Sequence, residues 1–191
     1  MFDHDCKEKK ENSVSLPGKN YDDFLEFLLC IHPRILKPIT ETNVLRIVSI
    51  ADEYQVTSVI KKCKEYMISW LQASFDQARA KGNHYLYHAE YLRPCLRIVA
   101  KVHELSYNDL VKFAVKSIAK FGHILYNTGQ KESQKMHIKN QPSPSDKTGD
   151  ETFGDIKMDC MKMFQNLPFE IKYKIVAERL LHLNDETNLK Y

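Results

Sequence analysis

A mainly helical fold class, with a single short strand, is predicted by three observations. Apolar residues recur every three to four positions from Phe24 to Phe121 and again beyond Met158, the period of a helix with one buried face. Only Val14-Ser15-Leu16 alternates apolar with polar, and Pro17-Gly18 stops it. The breaks between the periodic runs are short, as in antiparallel helical hairpins.

The elements follow in order. Asn20 is placed to cap the first helix, with Asp22 and Asp23 in its first turn complementing the macrodipole. Phe24, Leu25, Phe27, Leu28, Leu29 and Ile31 make this helix too apolar for a one-sided surface element, so it is expected to be largely buried, and Pro33 ends it. A second helix is expected from about Glu41 to Tyr54, with Val44, Ile47, Val48 and Ala51 on one face. Gln55-Val56-Thr57 reads as a tight break with Thr57 as N-cap. A third helix then runs from about Ser58 to Gln72, burying Val59, Ile60, Cys63, Tyr66, Met67, Trp70 and Leu71. Residues 73–92 read as two short helical pieces around Gly82-Asn83. Pro94 suits a first helical position, opening a helix that carries Leu96, Val99, Ala100, Val102 and Leu105. After a break at Ser106 or Asn108 comes an amphipathic helix with Leu110, Phe113, Ala114, Ser117, Ile118 and Phe121. Residues 127–152 hold no aromatic side chain and include Gln141-Pro142-Ser143-Pro144-Ser145-Asp146, the composition of a flexible linker. A last helix is expected from Pro168, carrying Ile171, Ile175, Val176, Leu180 and Leu181.

With 191 residues, 43% apolar and 28% charged, the chain is long enough for one domain and part of another, and is globular rather than disordered. Its net charge of +3 is too mild to indicate nucleic acid. The five cysteines, Cys6, Cys30, Cys63, Cys95 and Cys160, contain no CxxC pair, and Cys30, Cys63 and Cys95 sit in apolar helical runs; they read as reduced core residues. The charged start, Met1 to Glu11, has no apolar signal region, and no run is long enough to cross a membrane. A cytoplasmic or nuclear location is expected.

Motifs that carry chemistry are scarce in this chain. GxSxG, P-loop and HExxH motifs are all missing, and only 6 glycines are available for phosphate loops. His84 and His88 are four apart, as a metal pair on a helix would be, but no third ligand is near, so packing or solvated roles are favoured. A surface role is favoured for His103-Glu104, and the wet side of a helix for Lys61, Lys62 and Lys64. The methionines from Met158 to Met163 read as packing of a docking tail. Leu167-Pro168-Phe169-Glu170-Ile171 resembles the opening of an F-box, with too little chain left to complete one. No enzyme activity, cofactor or metal is expected.

One ordered set of motifs is more specific. It comprises Met1 to Glu8, Val14-Ser15-Leu16, Tyr21 to Leu28, Ile31-His32-Pro33, Asn43-Val44 and Ala51-Asp52-Glu53-Tyr54-Gln55-Val56. Together they resemble the second half of a BTB (POZ) domain, an α+β family fold, over about residues 1–71. Residues 93–125 more loosely resemble the helical extension (3-box or BACK region) that follows many such domains. The resemblance implies four segments: a partial BTB domain (1–72), a BACK-like helical extension (73–126), a flexible linker (127–152) and a C-terminal helical tail (153–191). In the family, Met1-Phe2 would fall inside the domain, after a strand pair and first helix. The strand at residues 14–16 would then lack partners, apolar helical surface would be exposed, and homodimerisation through the usual interface would be doubtful.

BTB domains are interaction modules, and many bind cullin-3 and present substrates to a ubiquitin ligase. The resemblance implies a non-catalytic adaptor for that scaffold. Cys6 and Glu8 would occupy the family's hydrophobic–x–Glu signature, Cys6 being a small stand-in for the usual larger residue. Glu8 would accept a charge-assisted hydrogen bond, and Tyr54 would either sit at the interface rim or pack half-buried at the end of its helix. Neither a nucleic-acid nor a membrane partner is implied. The alternatives are a BTB-derived scaffold for self-association or transcriptional regulation, or a truncated fragment without function.

Overall fold

The computed structural model describes residues 16–81, 85–125 and 153–188. Among them the chain is helical, in the order α1 (Tyr21–Ile31), α2 (Val44–Glu53), α3 (Thr57–Ala80), α4 (Tyr85–Glu104), α5 (Asn108–Ala119), α6 (Gly122–Leu125), α7 (Phe153–Asn166) and α8 (Phe169–Asn188). The mainly helical class is as expected, and no strand occurs among the described residues. Val14 and Ser15 of the expected strand, and the expected linker at 127–152, lie outside them.

Two compact units divide within α3, residues 1–60 and 61–191. In the first, Leu16-Pro17-Gly18-Lys19 forms a turn closed by Lys19 N–H to the Leu16 carbonyl (3.2 Å), with Gly18 at φ +75°. Proline followed by a residue at positive φ is the pairing that a type II turn requires. The Asn20 side chain accepts from the Asp23 N–H (3.1 Å), so the expected N-cap of α1 is present. α1 stops one residue before His32, whose extended backbone is the conformation that Pro33 imposes on its predecessor. α2 packs on α1, burying Val44, Ile47, Val48, Ile50 and Ala51 together with Phe27 and Cys30.

α2 begins at Val44 rather than near Glu41, because Asn43 folds the preceding segment into a turn. Its Oδ1 accepts from the Thr40 N–H (2.8 Å) and its Nδ2 donates to the Pro38 carbonyl (3.1 Å). α1 also departs from expectation: Tyr21, Leu25, Leu28 and Ile31 are exposed, so only one side of it is buried.

The second unit is built on α4, which packs against α5 and α7, while α8 packs on α5 and α6 contacts both α4 and α7. Two sequence expectations fail here. Residues 73–92 are not two short pieces, since α3 continues to Ala80 and α4 is already under way at Tyr85. Pro94 does not open a helix but lies inside α4. An internal proline removes one backbone bond and costs about 3 kcal/mol. The preceding turns are held by tertiary contacts that offset this cost. Ala89 and Leu92 are buried, Tyr91 stacks on Trp70 at 6.0 Å, and His88 meets the Phe75 and Phe121 rings edge-on at 5.9 and 6.1 Å.

The C-terminal helices are integral to this unit. Ile156 and Cys160 of α7 and Ile171 and Ile175 of α8 are buried, and the Cys160 thiol donates to the Ala89 carbonyl (3.4 Å). Burial pushes that thiol up to about 12. Cys30, Cys63 and Cys95 are buried, as expected, and so is Cys160; Cys6 lies outside the described residues. The methionines are not the packing face of α7: Met158 is exposed and Met161 and Met163 are half-buried.

Candidate partner-binding surface

Tyr54 is the one expected site residue among those described, and its position follows from how α2 ends. Asp52 and Ala51 carbonyls accept from the N–H groups of Gln55 (3.1 Å) and Val56 (2.8 Å), the double bond pattern of a Schellman motif, with Gln55 left-handed at φ +55°. This closure makes Tyr54 the C-cap, with its ring against α1. The ring lies 5.7 Å from Phe24, edge-on, and 6.3 Å from Phe27, stacked, while the two phenylalanines are 5.9 Å apart. Phe27 is buried, but Tyr54 is 43% exposed. An apolar ring body seated on two phenylalanines with its remaining surface in water is what an interface rim requires.

Besides Tyr54, the first unit offers two kinds of surface. One is apolar: Tyr21, Leu25, Leu28 and Ile31 of α1, with Ile35 and Leu36 after it, are all exposed. The other is charged. Glu26 accepts from Lys37 (2.8 Å), Arg46 (2.9 Å) and the Asn43 amide (3.3 Å), and Arg46 also reaches Asp23 (2.6 Å). The Lys37 hydrogen bond holds the Glu26 carboxyl below its ordinary range against the opposing effect of burial, and the Asn43 amide and the charges of Lys37 and Arg46 add to it. Lys19 pairs with Glu53, the residue before Tyr54.

Cys6 and Glu8 lie outside the described residues, so the structure does not bring them together with Tyr54. The Glu26 network was missed by sequence reasoning. Its available signal was Asp23 and Glu26, three apart on one face of α1.

His88 is buried against aromatic rings, and desolvation lowers its basicity; His84 lies outside the described residues. Among the described residues no group of three His, Cys, Asp or Glu side chains is placed to hold a metal, and no helix is long and apolar enough to cross a membrane. Glu104 pairs with Lys101 (2.8 Å), and Lys64 lies 3.6 Å over the Tyr107 ring.

Comparison with known families matches residues 1–70 to the BTB/POZ domain. No curated protein and no solved structure matches the chain. Domains of this family are generally modules for binding other proteins, in keeping with an aromatic residue and apolar helical surface left in water. It is over residues 1–70, then, that this chain is similar to a BTB/POZ domain.

Proposed function

We propose that the chain is a non-catalytic adaptor that binds the N-terminal region of a cullin-3 scaffold and links its partners to a ubiquitin ligase, in the cytoplasm or nucleus. The observation that carries this reading is the BTB/POZ match over residues 1–70. The Cys6-x-Glu8 signature and the half-exposed Tyr54 ring support it. Glu8 supplies a carboxylate for a charge-assisted hydrogen bond, Cys6 a small apolar contact, and Tyr54 an amphipathic rim.

Binding of the full chain to a cullin-3 N-terminal domain, followed by calorimetry, tests this. Glu8→Ala is expected to weaken binding by about tenfold or more, the effect of losing a hydrogen bond to a charged group. Tyr54→Ala should weaken it several-fold, whereas Tyr54→Phe, which keeps the ring on Phe24 and Phe27, should preserve the packing part. Absence of binding, or binding that neither Glu8→Ala nor Tyr54→Ala alters, would sink the adaptor reading.

A further inference from the structure

α8 has two apolar faces, and only one is used. Ile171 and Ile175 are 1% and 0% exposed, on the side that packs against α5. On roughly the opposite side Phe169, Tyr173, Val176, Leu180 and Leu183 are 80%, 65%, 38%, 58% and 40% exposed. Their spacing of four, three, four and three residues is the a/d repeat by which two helices interlock along a seam. A helix that only had to cover the bundle would need the Ile171 face and no other.

We propose that this stripe is a self-association surface, on which α8 of a second copy of the chain lies antiparallel. Three features point to a second copy. The first is size order: rings at 169 and 173, Val176 and Ala177 in the middle, leucines at 180 and 183. Reversed upon itself, this order sets the rings of one copy against the aliphatic side chains of the other at both ends. The helices then stay evenly spaced, whereas parallel pairing crowds ring on ring at one end. The second is area. Five side chains of these types at these exposures present roughly 500 Å² per copy, so a symmetric pair buries about 1,000 Å², where specific but weak interfaces begin. The third is charge. Glu170, Lys172 and Arg179 border the stripe with both signs, and Glu170 is paired with Lys174. That lacks the one-signed basic face by which a helix binds an anionic membrane. The surface is separate in sequence from residues 1–70, and its use does not depend on any cullin contact.

Sedimentation velocity of the full chain from low to high micromolar concentration tests the proposal. A concentration-dependent monomer–dimer equilibrium is expected. Leu180→Glu or Tyr173→Lys should raise the dissociation constant at least tenfold, with circular dichroism unchanged because both residues are exposed. Lys112→Glu, on the exposed surface of α5, should have no effect. Antiparallel pairing sets position 173 opposite position 180 of the other copy, so mixing the Tyr173→Lys and Leu180→Glu variants should restore association. A chain that stays monomeric throughout, a dimer indifferent to Leu180→Glu, or no recovery on mixing would overturn the proposal. The cullin-binding measurement is a separate readout, so failure of one reading is distinguishable from failure of the other.

Discussion

Asn43 is 1% exposed, and its amide satisfies three separate groups: the Thr40 N–H, the Pro38 carbonyl and the Glu26 carboxylate. A buried polar side chain is tolerable only when so bonded, and removing it takes a partner from three part-buried groups at once. Asn43→Ala is therefore expected to destabilise the first unit by about 1–3 kcal/mol, read as a lower denaturant midpoint. The same amide helps hold the Glu26 carboxylate in its charged form, so one substitution loosens both the turn before α2 and the ion network beside it. Little of this was legible from residues alone. Asn43 was visible as part of a motif, but its partners at positions 26, 38 and 40 are chosen by the turn, which no local pattern specifies. Tyr54 is the opposite case, since an amphipathic residue ending an apolar helix already reads as a ring that packs on one side and stays in water on the other.

Helix ends show the same division at the next scale. The caps written in side-chain chemistry, such as Asn20 on α1 and the stop before Pro33, were readable because each acts within three residues. The C-terminal caps were harder, because two use a non-glycine residue in the left-handed region. Ser106 (φ +59°) closes α4 with bonds from Ser106 and Tyr107 N–H to the His103 and Val102 carbonyls, as Gln55 closes α2. Glycine adopts this conformation without the steric penalty. Ser106→Gly should raise stability by about 0.5–1 kcal/mol, seen as a higher thermal midpoint. Gln55→Gly should gain less, because it forfeits the Gln55 side-chain bond to the Asp52 carbonyl (2.6 Å). Pro94 marks where a local rule misleads. Proline favours a first turn, yet the buried Ala89 and Leu92 and the stacked Tyr91 hold the helix on its N-terminal side.

For the molecule as a whole, the consequential finding is that α7 and α8 share a core with α4 and α5 rather than trailing from it. The two faces of α8 can be separated by measurement. Ile175→Ala, at a fully buried position, is expected to cost about 2–5 kcal/mol. Leu180→Ala, on the exposed stripe, should change monomer stability by less than about 0.5 kcal/mol. The sequence by itself determined the helical class, most helix positions, the burial of Cys30, Cys63 and Cys95 and the similarity of residues 1–70 to a BTB/POZ domain, because periodicity, capping and ordered motifs are local or linear properties. Only the tertiary structure decided which apolar residues are covered. Ile175 and Val176 are neighbours and both apolar, yet one is sealed against α5 and the other faces water, since burial depends on what packs alongside and not on the residue itself. The same holds for α1, whose apolar run predicts burial on all sides but is covered on one.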